Sequence, residues 1–139
     1  MNITKTRVGV YGVIIKDNKI ALVKKKNGGY KGKYDLPGGG MKFHEDTIET
    51  LKREIKEEIG RNVVSYKLLN VYTHNLYWQM DDGNYEDLHQ IGIIYQVEID
   101  NDHLVSIDEH DTEYATWMSL DEVNNDNVTP FTWNSLKDI

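Results

Sequence analysis

Glu54, Glu57 and Glu58 occupy positions i, i+3 and i+4, the spacing that stacks side chains on one face of an α-helix. Like charges so placed repel, and something must offset the repulsion. A hard divalent cation bound through oxygen does so, because magnesium commonly sits between a few carboxylates and substrate phosphates. The competing reading is a solvated acidic face balanced by Lys52, Arg53 and Lys56, the ordinary fate of a charge run. Upstream, Gly38, Gly39 and Gly40 fit either a plain tight turn or a backbone left bare so that a metal or a phosphate can approach where a side chain would block it.

The elements that must position these groups can be read from local pattern. Asp46 to Gly60 is the best helix, with Asp46 as N-cap, Glu49 as its capping-box partner, Gly60 as the stop and Ile48, Leu51, Ile55 and Ile59 as the apolar stripe. Thr6 to Lys16 carries apolar residues on both parities and reads as a strand buried on both faces. Asp17-Asn18 turns the chain into a second strand, Lys19 to Lys26, giving a hairpin. Between Tyr30 and Lys42 the glycines and Pro37 argue for a long loop without regular structure. Val63 to Thr73 and Gln90 to Ile99 read as strands joined by an aromatic and acidic loop. A short strand spans Glu113 to Met118, Ser119 caps a turn through Val123, and Pro130 starts a last helix reaching Lys137.

With Gly39, five residues, Glu45, seven residues, and then Arg53-Glu54-Ile55-Lys56-Glu57-Glu58-Ile59-Gly60, the segment resembles the Nudix box. Arg61 departs from that signature, which has an aliphatic residue there, and the expected effect is on helix-end packing. Leu36-Pro37-Gly38-Gly39-Gly40 is similar to the family's entry to the box, with Tyr34 where a tryptophan is common and His44 where glycine is frequent. Trp117 to Val123 looks like its closing strand and turn. The resemblance therefore spans nearly the whole chain and implies a single domain over residues 1–139. The fold implied is the Nudix α/β/α sandwich, a mixed sheet flanked by helices.

The resemblance further implies a MutT-like hydrolase that cleaves the diphosphate linkage of a nucleoside diphosphate joined to another moiety. Nucleoside triphosphates, ADP-ribose or nucleotide sugars, and dinucleoside polyphosphates are the substrate classes. Glu54, Glu57 and Glu58, with the Gly39 backbone, would hold magnesium, manganese being able to substitute; Glu45, Arg53 and Gly60 would brace the box. Arg53 and Glu57 form an i, i+4 pair, which suits that role. Gly38, Gly39 and Gly40 would meet the substrate, and Tyr77 matches a tyrosine placed similarly in dinucleoside-polyphosphate hydrolases. A general base would come from a box glutamate or from Glu109, Asp111 or Glu113, with Glu113 preferred. The alternative function is a Nudix-fold sensor that holds a nucleotide without cleaving it, but such modules have eroded boxes. The family also leaves room for a homodimer through an apolar strand edge.

Composition narrows the field. The chain has 139 residues, 39% apolar and 28% charged, with no cysteine, so thiolate chemistry and cysteine-held metals are excluded. Neither G-x-x-x-x-G-K-[ST] nor H-E-x-x-H occurs, and the five histidines lack ligand spacing. The net charge of -7 argues against general nucleic-acid binding. It hides an asymmetry: the segment up to Lys67 is basic and the segment from Glu98 is strongly acidic, as would suit a basic half facing a polyanionic ligand. No run of apolar residues approaches membrane-span length and no signal-peptide zones are present, so the expected location is the cytoplasm.

Overall fold

The computed structural model describes residues 2–105 and 112–139. Its elements in chain order are β1 (Asn2–Val13), β2 (Ile15–Lys16), β3 (Lys19–Lys25), β4 (Tyr34–Asp35), β5 (Gly38–Gly40), α1 (Thr47–Ile59), β6 (Val63–Gln79), β7 (Tyr85–Ile99), β8 (Thr112–Ser119) and α2 (Pro130–Lys137). A mixed four-stranded sheet runs β5-β1-β7-β6, with β1 parallel to β7 and the other pairs antiparallel. A second, antiparallel sheet joins β2, β3, β4 and β8. Between them the chain changes sheets at Ile14, so the expected hairpin survives as the short β2–β3 pairing, Ile15 opposite Ile20.

The core forms two layers because side chains alternate along each strand. Val10, Ala21, Val23 and Tyr95 pack with Leu51, Ile55 and Ile59 of α1. Their neighbours Tyr11, Ile20, Leu22 and Ile94 pack on the other side with Leu36, Val128 and Phe131. Each of the three fully buried aliphatics of α1 contributes roughly 1.5–3 kcal/mol. The helix thus lies fixed against the sheet by its apolar stripe, with its other faces free to carry charge.

Two expectations need correction. The segment from Tyr30 to Lys42 contains β4 and β5, and Gly38–Gly40 pairs with Tyr11, Val10 and Gly9 of β1. Glycine has little strand propensity, and here the tertiary partner imposes the strand. The region between Thr73 and Gln90 is no loop either: β6 and β7 continue as a ribbon to a tip at Met80–Asn84, where Gly83 adopts a positive φ of 88°. Asp82-Gly83 was the available hairpin signal, masked by the polar residues around it. Among the described residues, no helix is long and apolar enough to cross a membrane.

Candidate functional site

The helix that carries the carboxylates begins and ends as its sequence dictates. The Asp46 carboxylate accepts from the Glu49 amide at 2.8 Å, and the Glu49 carboxylate accepts from the Asp46 amide at 3.3 Å, completing the capping box. Such a cap is worth about 1 kcal/mol. At the other end Gly60 sits in the left-handed region with φ 69° and donates its amide to Lys56. Arg61 does not disturb this end: its Nε donates to the Gly60 carbonyl at 2.8 Å, and its guanidinium lies 3.7 Å from Asp100.

Arg53 organises the interior of the site. Its Nε and Nη2 donate to the two oxygens of Glu45 at 2.7 and 2.8 Å, a bidentate pair. Nη1 donates to Glu54 at 2.8 Å and to Glu57 at 3.3 Å, and Nη2 also reaches the Gly40 carbonyl at 3.1 Å. Glu45 accepts further from the Lys42 amide and the Thr50 hydroxyl. These bonds, Arg53 first, hold the Glu45 carboxyl down at about 2. Burial, by contrast, raises Glu54, only partly offset by Arg53. Glu58 is 4% exposed; its Oε2 is buried without a hydrogen bond, although the residue keeps another interaction.

The glycine strand crosses this carboxylate face at contact distance. At Gly38, φ is 151° and a Cβ would fall 2.2 Å from the Val10 carbonyl oxygen; at Gly39 it would fall 2.7 Å from the Glu54 carboxylate. No other residue fits either place without displacement. Gly39 and Glu54 therefore bring a peptide backbone and a buried carboxylate together, beside Glu57 and Glu58 from the same helix. Oxygen donors on a helix flanked by close backbone suit a hard cation such as magnesium. Among the described residues, no group of three acidic or histidine side chains already converges as a metal cage; in this arrangement the Arg53 guanidinium bridges Glu54 and Glu57.

The NUDIX domain profile matches residues 5–139. The chain belongs to the NUDIX family. The crystal structure of a MutT NUDIX hydrolase from Burkholderia pseudomallei superposes with a TM-score of 0.79 at 26% identity, covering 97% of this chain and 98% of that one. An ADP-ribose pyrophosphatase from Methanocaldococcus jannaschii is 48% identical over 66 residues, 48% of this chain and 39% of that protein. An 8-oxo-dGTP diphosphatase from Buchnera aphidicola is 37% identical over 59 residues, 42% of this chain and 45% of that protein. The matched stretch thus spans less than half the length of each of these two relatives. Nucleoside triphosphatase NudI of Klebsiella pneumoniae is 29% identical over 107 residues, 70% of each.

Within this NUDIX domain, Gly38–Gly40, Glu45, Arg53, Glu54, Glu57, Glu58 and Gly60 gather at α1 and the strand across it. Two other candidates lie elsewhere. Glu113 is the second residue of β8, 3.6 Å from the Lys24 ammonium. Tyr77 is 56% exposed on the β6–β7 ribbon and stacks on Tyr85, ring centroids 5.0 Å apart; by strand alternation it faces away from its neighbours Leu76 and Trp78. Those two neighbours line a cavity that also takes in Gly38. Glu109 and Asp111 lie outside the described residues.

The cavity shows what sequence reasoning missed. Arg7, Tyr30, Asp35 and Gln90 line it beside Trp78, one of the aromatics after the box on which a base could stack; those four are scattered over the chain and form no motif. Asp35 is buried and accepts from the Leu36 amide at 2.9 Å and the Thr129 hydroxyl at 2.6 Å; burial raises its pKa despite those bonds.

Proposed function

We propose that this NUDIX domain is a metal-dependent pyrophosphohydrolase acting on a small nucleoside-diphosphate derivative. The carrying observation is Gly39 laid against Glu54 on a helix face that also presents Glu57 and Glu58. Glu54, Glu57, Glu58 and the Gly39 backbone would hold magnesium, for which manganese could substitute. When bound, the ion neutralises phosphate charge, templates the attack and acidifies a water.

The protein's own groups then divide the work. Glu45 fixes Arg53 bidentately, and Arg53 in turn holds Glu54 and Glu57 on the side of Gly40. Gly38–Gly40 offer backbone without side chains to an approaching diphosphate. Of the acids that the resemblance offers for taking the proton of the attacking water, the box glutamates and Glu113 lie among the described residues. We assign the role to Glu57, because it belongs to the gathered cluster and is bonded by Arg53 at 3.3 Å, whereas Glu113 faces Lys24. Positioned base catalysis is worth about 10² to 10⁴-fold.

The names of the relatives supply the substrate panel: ADP-ribose, 8-oxo-dGTP and the nucleoside triphosphates. Nucleotide sugars and dinucleoside polyphosphates complete it. The deciding experiment measures phosphate, pyrophosphate and nucleoside monophosphate release over that panel, with magnesium and with chelator. Release from at least one diphosphate-linked nucleotide, lost with chelator, is the expected result. Tight nucleotide binding without release would replace the hydrolase by a sensor module.

A further inference from the structure

Arg53 is fully engaged inside the box, whereas a second arginine beside it is not. Arg7 lies on β1, half-buried, on the same face of the sheet as Gly40, and a Cβ on Gly40 would stand 3.5 Å from its Nε and 3.8 Å from its Nη2. Gly40 is thus flanked by two guanidiniums: Arg53 bonds its carbonyl, and Arg7 lies against its bare Cα. Among the described residues, the Arg7 guanidinium makes neither a hydrogen bond nor an ion pair, the residue's ladder bonds to β7 being made by its backbone. Its charge is nevertheless felt on both sides, easing the ionisation of Glu54 in the box and of Asp35 in the cavity.

The surroundings state what would satisfy it. A planar guanidinium, partly desolvated and lacking an acceptor, matches the two oxygens of a phosphate. Beyond Arg7 the cavity wall is built by register: Gln90 stands opposite Arg7, and farther out Trp78 stands opposite Glu86. The Tyr30 hydroxyl donates to Gln90 at 2.7 Å, and the Trp78 indole donates to Glu86 at 2.9 Å. With Tyr11, these give a pocket of aromatic walls and fixed polar edges, suited to a flat, hydrogen-bonding group such as a nucleobase.

We propose that Arg7 is the pocket-side phosphate anchor: it binds the nucleoside-bearing phosphate of the substrate, so that the nucleoside enters the cavity and the scissile linkage lies over the box. The assignment rests on the pyrophosphohydrolase reading above, and it adds that the substrate is held by its nucleoside end rather than by its leaving group.

The test separates the two ideas by measuring binding in chelator, where no turnover occurs. ADP is titrated calorimetrically into the parent protein, Arg7→Gln, Arg7→Lys and Lys5→Gln, with thermal midpoints taken as a folding check. Lys5 is exposed and two residues farther out on the same face, so its variant removes an equal charge without touching the anchor. Arg7→Gln should weaken ADP by about tenfold or more, Arg7→Lys by less, and Lys5→Gln by less than about twofold. With magnesium and a turned-over nucleotide, Arg7→Gln should raise KM with kcat little changed, the signature of lost uniform binding. Undetectable ADP binding by the parent, unchanged ADP binding by Arg7→Gln, or equal losses for Lys5→Gln would each overturn the anchor. Loss of ADP binding in Arg7→Gln, in a protein that hydrolyses nothing on the panel, would leave the anchor standing and remove the hydrolase reading instead.

Discussion

The box around α1 and the ribbon formed by β6 and β7 solve opposite problems. In the box, one arginine saturates its donors on Glu45, Glu54, Glu57 and the Gly40 carbonyl, all within 3.3 Å. The ribbon carries exposed Val71, Tyr77 and Tyr85, and contributes to the cavity only the side chains of one parity. The box bonds run mainly between residues that are close in sequence, whereas the cavity assembles Arg7, Tyr30, Asp35, Trp78 and Gln90 from distant segments. On the proposed function, the bond to be broken is set by a compact, locally encoded unit, and the choice of substrate is left to a surface that can vary without disturbing it.

Substituting a box carboxylate gives the sharpest break in that contrast. Glu57 is the most exposed of the three helix carboxylates, and its contact to Arg53 is the longest in the network. Glu57→Gln should therefore fold normally while activity falls by about 10² to 10⁴-fold. A collapse of the thermal midpoint would make the residue structural and end its assignment as base. Gly39→Ala should do both kinds of damage, since its methyl group would stand 2.7 Å from the Glu54 carboxylate. Expected are a loss of activity and about 1–3 kcal/mol of stability, the usual cost of overpacking; an unaltered protein would mean that Glu54 moves freely and is not fixed by the strand.

The same division explains what could be read beforehand. The α1 caps, Asp46, Glu49 and Gly60, act within four residues of their targets, so local sequence specifies them. The Gly38–Gly40 strand was hidden because its order comes from β1, twenty-nine or so positions upstream. The ribbon was hidden because Glu86, Asp87 and His89 interrupt the apolar alternation that marks strands. Tyr77 was found by spacing, but facing is set by pairing register, which places Trp78 rather than Tyr77 on the cavity side.

Acidity offers a subtler probe, because two box carboxylates respond with opposite sign. Glu45, held at about 2, stabilises the fold above the ordinary carboxylate range and loses that contribution as pH falls towards 2. Glu54 is raised, so the folded state holds its proton longer than the unfolded chain and stability declines as pH rises through its titration. In chelator, Glu54→Gln should flatten that decline, and Glu45→Gln should flatten the acid limb; thermal midpoints between pH 2 and 7 read both. Magnesium should raise the midpoint of the parent protein near neutrality, because an ion bound only by the folded state stabilises it. No rise with saturating magnesium would deny that Glu54 and its neighbours form a cation site.

The smallest effect is expected outside both regions, at Glu113. It lies near the start of β8, which pairs with β3, and it is half-exposed with Lys24 at 3.6 Å. An exposed ion pair of that kind is worth less than about 1 kcal/mol, so Glu113→Gln should leave stability nearly unchanged. If Glu57 takes the proton, kcat should also stay within about threefold of the parent value, with KM unaffected. A fall of about 10²-fold in kcat at constant KM would move the base to β8, and would show that catalysis is shared between the box and a strand of the second sheet. Lys24→Met separates that outcome from a loss of field, because it removes the partner charge while leaving the carboxylate: a true base then keeps most of its activity with a shifted pH profile, whereas a mere ion-pair effect reproduces the Glu113→Gln result.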